Sequence, residues 1–221
     1  MNKYPLILRC FITVYNAFKR VKVEGKVDVE PCVFIARHQN VKGIVRAFCN
    51  IPVLVCPWSL AVFFNYKSAK KHFNEYTFSI QKKKTKLYRV VFSPLYAFLL
   101  STALKKLNAV PVYRKDESAK SITTIKTSVK HLEKGRNLLI FPDVEYLDES
   151  EKSYGEIYTG FSFIDTLYYK RNEKHIPFVP IYINKNTTKI LPPIYLPDSP
   201  TIKEKSKFIK DVTNGIYQGK F

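Results

Sequence analysis

Apolar residues along this chain come in two kinds of pattern. Some are short unbroken runs, and others recur every third or fourth position between polar residues. The first kind predicts buried strands, the second amphipathic helices. Cys32 to Ala36, following Pro31, is a short, partly β-branched run and predicts a buried strand. Ile51 to Cys56 predicts a second strand, with a helix over Val41 to Cys49 between them. Residues 59 to 80 carry a noisier helical pattern with exposed lysines. Ala109 to Tyr113, Asn137 to Phe141 and Ile176 to Ile183 predict further strands. Between the first two of these runs lies the clearest helix. Asp116 and Glu117 open it, Ile122, Ile125, Val129 and Leu132 form its apolar face, and Gly135 stops it. A last helix follows Ser199-Pro200, with Ile202, Phe208, Ile209, Val212 and Ile216 on its apolar side. Short buried strands alternating with helices predict an α/β fold, a single-domain sandwich with a mixed, largely parallel central sheet flanked by helices.

Two segments fit this scheme less simply. In residues 1 to 20, Arg9, Thr13, Asn16 and Arg20 recur at helical spacing as a narrow polar stripe on a broad apolar cylinder. That suits either an interfacial helix or a helix packed on the protein's own core. We take residues 1–25 as an amphipathic, membrane-associating helix and 26–221 as the α/β domain. The second segment is the uncharged stretch Val90 to Leu104. Lys82, Lys83, Lys84, Lys86 and Arg89 precede it, and Lys105 and Lys106 follow. Ser93 and Pro94 are suited to cap and open a helix there. A polybasic cluster beside an apolar helix points to anionic lipid; a core helix with solvated flanks is the alternative.

Composition narrows the classes. With 221 residues, 46% of them hydrophobic, the chain can bury one substantial core. No apolar run reaches the roughly 20 residues of a membrane span. The four cysteines form no CxxC pair, which argues against a disulfide scaffold and for a reduced, cytosol-facing setting. Four histidines without a His/Cys cluster predict no metal site. The net charge of +19 favours anionic partners, and by charge alone nucleic acid, an anionic membrane and an acidic carrier protein all qualify. No nucleic-acid-binding motif is present, and the polybasic cluster beside the apolar stretch makes an anionic membrane surface the expected partner and nucleic acid not.

In largely parallel sheets, functional groups collect beyond the carboxyl ends of strands. His38 follows the first predicted strand, Arg114 follows the run AVPVY, and Asp143 and Glu145 follow NLLIF.

The blocks FIARHQN, AVPVYR, NLLIFPDVEY and FVPIYI, in this order, resemble the four motif blocks of the lysophospholipid/glycerol-phosphate acyltransferase family. The likeness spans roughly residues 10 to 195. It implies transfer of a fatty acyl group from an acyl thioester, acyl-CoA or acyl carrier protein, to a hydroxyl of a lysophospholipid or glycerol-phosphate acceptor. It further implies no metal or resident cofactor, and a peripheral or monotopic place on the cytoplasmic face of a membrane. Residue by residue, His38 matches the general base, Arg114 the phosphate-binding arginine, Asp143 the third-block glutamate, and Val179 and Pro180 the last block. Two departures stand out. Gly43 occupies the place of the family's aspartate, five residues after the histidine. In the third block, Val144 and Glu145 replace glycine–threonine and Tyr146 replaces arginine.

The first departure removes the carboxylate that orients the histidine. In the serine-protease template, losing that group costs about 10⁴ in turnover, roughly 5 kcal/mol. Arg37, Lys42 and Arg46, if close to His38, disfavour its charged form. The sequence therefore requires a carboxylate from elsewhere, and Asp143 or Glu145 is the expected source. A relative that binds lipid without chemistry is the alternative.

Overall fold

The computed structural model describes residues 4, 10, 12–15, 21–113, 118–143 and 157–220. The chain divides into two compact units, one of Met1–Val55 with Ile125–Phe221, the other Cys56–Thr124. The fold class is the expected one, α/β with a mixed, largely parallel sheet flanked by helices.

In the first unit, β1 (Lys22–Glu24), β2 (Val33–Ala36), β5 (Asn137–Ile140), β6 (Phe178–Ile183) and β7 (Thr187–Ile190) lie in the order β1-β7-β6-β2-β5. Only the β6–β7 hairpin is antiparallel among these neighbours. β2 lies between β6 and β5, and all four of its residues are buried. Its run is unbroken and not alternating because both faces are covered. Phe34, Leu139, Val179 and Ile181 share one core cluster with Cys32, Ala47 and Val55. The helices of this unit are α1 (Asn40–Asn50), the later part of α4 (Ser118–Glu133), α5 (Phe163–Asn172) and α6 (Ile202–Gln218). α6 starts at Thr201, whose side chain and Glu204 form a reciprocal capping box. It approaches β6 so closely that a Cβ at Gly215 would lie 2.7 Å from the Pro180 side chain.

The second unit holds parallel strands β3, which begins at Val55 and runs to Leu60, and β4 (Val110–Val112). Between them come a 3₁₀ turn Ala61–Phe64, α2 (Tyr66–His72), a π-helical segment Phe73–Gln81, and α3 (Lys86–Lys106). Ala69, Phe73, Phe78 and Ala97 form its core, with Tyr88 and Phe92 stacked at 4.3 Å.

Several boundaries moved. The second strand lies at Val55–Leu60, not Ile51–Cys56; Pro52 and the residues around it form a bend instead. Residues 59 to 80 are not one helix but a strand end, a 3₁₀ turn, α2 and a π segment. α3 starts seven residues before Ser93, at Lys86, because Thr85 accepts from the Tyr88 amide and so caps it. Pro94 therefore sits inside the helix and Ser93 is buried within it. β1, β7 and α5 were not anticipated: β1 and β7 are three and four residues long, and α5 has no clean apolar period. β1 also falls inside the segment assigned to the N-terminal helix. Most of that helix lies outside the described residues; residues 12–15 are helical, and Tyr4 accepts from the Val55 amide and donates to the Val53 carbonyl. Asp116 and Glu117 also lie outside them.

Candidate active site

β2 and β5 pair in parallel with Val33 opposite Leu138 and Ile35 opposite Ile140. That register offsets partners by 105 residues, and the same offset carries His38 to Asp143 beyond the strand ends. The His38 main-chain N–H donates to Asp143 Oδ2 at 2.7 Å. At the opposite end of the pair the offset recurs: the Cys32 N–H donates to Asn137 Oδ1 at 3.0 Å. Register thus clamps the two strands by a side chain at each end.

The second oxygen of Asp143 accepts from the Tyr217 hydroxyl at 2.9 Å. Tyr217 comes from α6, and the Arg37 guanidinium lies 4.7 Å from its ring centroid. The Phe141 ring meets the His38 ring edge-on at 5.6 Å. After His38 the backbone turns through Gln39 in the left-handed region, φ 42°, before α1 begins. Gln39 Nε2 donates to the Ile183 carbonyl at 2.9 Å, which ties this turn to the end of β6. Burial pushes the Asp143 carboxyl above the usual carboxylate range, against the opposing pull of the His38 amide, Tyr217 and Arg37.

The structure therefore brings His38 and Asp143 together, as the sequence suggested, but the bond between them runs to the histidine main chain. Arg114 and Glu145 lie outside the described residues. Gly43 explains the missing motif aspartate physically. A Cβ there would collide with the His38 carbonyl oxygen and stand 2.8 Å from Gln39 Cβ. A side chain at position 43 therefore requires this tight turn to shift.

Tyr217 and Gln39 belong to the site and were missed. Tyr217 is 74 residues from Asp143 in sequence, beside the apolar stripe of a terminal helix, and nothing local distinguishes it from a packing aromatic. Elsewhere, His175 sits between two acids. Its Nδ1 is 2.8 Å from Asp165 Oδ2 and its Nε2 2.8 Å from Asp198 Oδ1, while Tyr169 stacks on the ring at 4.3 Å. Among the described residues, no three His, Cys, Asp or Glu side chains group as metal ligands.

No family model matches the sequence, and no curated protein matches it. Among solved structures, the fold is similar to the 1-acyl-sn-glycerophosphate (LPA) acyltransferase, PlsC, from Thermotoga maritima, with a TM-score of 0.56 and 13% sequence identity. The alignment covers 96% of this chain and 78% of that one.

Proposed function

We propose that this chain is an O-acyltransferase acting on phospholipid precursors. It moves a fatty acyl group from an acyl thioester, on coenzyme A or acyl carrier protein, to a hydroxyl of a lysophospholipid or glycerol phosphate. The observation that carries this reading is His38 at the carboxyl edge of a parallel strand pair, clamped by Asp143, in a fold similar to that of a 1-acyl-sn-glycerophosphate acyltransferase.

In this reading His38 removes the acceptor hydroxyl proton as the oxygen attacks the thioester carbonyl. The tetrahedral intermediate collapses, the carbon–sulfur bond breaks, and the thiolate leaves with the proton returned by the imidazolium. Asp143 fixes the main chain from which the imidazole projects, and Tyr217 fixes Asp143. Glu145 is the acid left to orient the ring. Arg114 clamps the acceptor phosphate through its guanidinium fork. No metal or resident cofactor enters the reaction. The chain works peripherally on the cytoplasmic face of an anionic membrane.

One observation favours a second reading, a lipid-binding relative without chemistry: position 43 holds glycine, in a turn that would have to shift to admit an aspartate. Thiol release separates the two. With an acyl thioester and lysophosphatidic acid, the wild type is expected to release free thiol, and His38→Ala to lose about 10²–10⁴ of that rate. No release by wild type from either carrier, across a panel of lysophospholipids and glycerol phosphate, selects the inert relative.

A further inference from the structure

We infer that the outward face of α3 is a membrane-docking surface that lies flat in the interface of an anionic bilayer. It deepens the membrane part of the proposed function but uses none of its chemistry.

α3 is 21 residues long, about 31 Å. Among the described residues, it is the one helix long and apolar enough to cross a membrane. Its inner side, Ser93, Ala97, Ser101 and Leu104, is buried against its own unit. Its outer side is a continuous apolar stripe at helical spacing: Leu87, Val91, Leu95, Phe98 and Leu99 are all exposed, Leu87 at 76% and Phe98 at 60%. An apolar strip of this length on one helix is more than scattered surface hydrophobics.

Charge at the two ends chooses the occupant. Lys82, Lys83, Lys84 and Lys86 are exposed at the start of the helix, and Lys105 and Lys106 at its end. A second copy packed antiparallel on this stripe would set one lysine cluster against the other, an arrangement that like charges oppose. An anionic bilayer accepts both: the stripe enters the acyl boundary, while the lysines reach headgroup phosphates from either end. Packing chooses the orientation. To span the bilayer, α3 would have to leave α2 and the π segment or draw Lys67, Lys70 and Lys71 of α2 into hydrocarbon. Lying flat, it keeps its buried face and immerses the exposed one.

The test is flotation of the full chain with vesicles of phosphatidylcholine alone and of phosphatidylcholine mixed with phosphatidylglycerol. The wild type is expected to float with the mixed vesicles and far less with the neutral ones. The double variant Leu95→Asp/Phe98→Asp is expected to lose at least about tenfold in partitioning, and Lys82→Glu/Lys84→Glu to lose a similar factor on mixed vesicles only. Circular dichroism and melting of both variants should match the wild type, because the side chains are exposed. If the aspartate pair does not fold, Leu99→Asp repeats the test. Tryptophan placed at Leu87, Leu95 and Ala103 in turn, corrected for Trp58, should be quenched equally by brominated lipid. A graded quench along the helix overturns the flat orientation. Wild-type flotation by the apolar-face variants, or loss of a dimer in them without vesicles, overturns the docking surface. Flotation of a chain that releases no thiol leaves docking standing and removes the acyl-transfer reading.

Discussion

At the scale of single residues, Gly43 and Asp143 carry the most specific expectations. A carboxylate restored at position 43 should not rescue chemistry, because its Cβ would collide with the His38 carbonyl. We expect Gly43→Asp to lower stability by about 1–3 kcal/mol and to leave thiol release no higher than wild type, read by thermal melting and the coupled assay. Asp143→Ala should leave the His38 amide without its acceptor and cost about 1–3 kcal/mol. Tyr217→Phe removes one hydroxyl and should cost about 0.5–1.5 kcal/mol. If Asp143 acts by positioning His38, both variants lower kcat more than they raise KM. Asp143 also has an inverted pH signature. Its carboxyl is raised in the folded state, so the native chain binds the proton more tightly than the unfolded chain. Its contribution to stability therefore falls as pH rises from the ordinary carboxylate value through the raised one. His38 was legible because a histidine ends an apolar run. The acid was legible only as one of two, since whether a carboxylate meets a ring or a main-chain amide depends on turn geometry that residue types do not encode.

At the scale of elements, His175 joins α5, the entry to β6 and the segment before α6. Burial of its ring opposes the charged form, but the bonds to Asp198 and Asp165 outweigh this and raise its pKa. The charged ring thus stabilises the fold fully below about pH 6.5, and that contribution is lost as pH rises through the raised folded value. Denaturant midpoints should fall in the wild type as pH rises above about 6.5 and flatten in His175→Gln. α4 and α6, each with one apolar face and a terminal signal, were legible; α1 was placed by the predicted strands on either side of it, and the fully buried strands β2 and β5 were legible as unbroken apolar runs. α3 was placed late because Ser93-Pro94 imitates a helix start, whereas Thr85 supplies the real cap. β1 and β7 escaped notice because edge strands so short carry almost no periodicity.

At the scale of the whole molecule, the charge and its clusters on either side of Val90 to Leu104 were plain from the sequence, and the choice of anionic partner was not. The +19 balance predicts only diffuse attraction to anything anionic. Oligonucleotide binding by this chain should therefore be weak, indifferent to sequence and lost with added salt, and phosphatidylglycerol vesicles should compete it away; fluorescence anisotropy reads both. Tight binding that survives salt would contradict that expectation. The division into two units was not legible either, because β3 carries the chain from one into the other without a break in apolar pattern.

The shared offset of β2 and β5 has a consequence for how such a site diverges. Strand pairing, not the number of intervening residues, decides that position 38 faces position 143. The 69 residues Cys56–Thr124 lie between the two along the chain and outside their pairing. Lengthening a loop within that stretch leaves the β2–β5 register as it is, so motif distances can drift past recognition while the pair stays in place. Sliding either strand by a single step, by contrast, would part them at once.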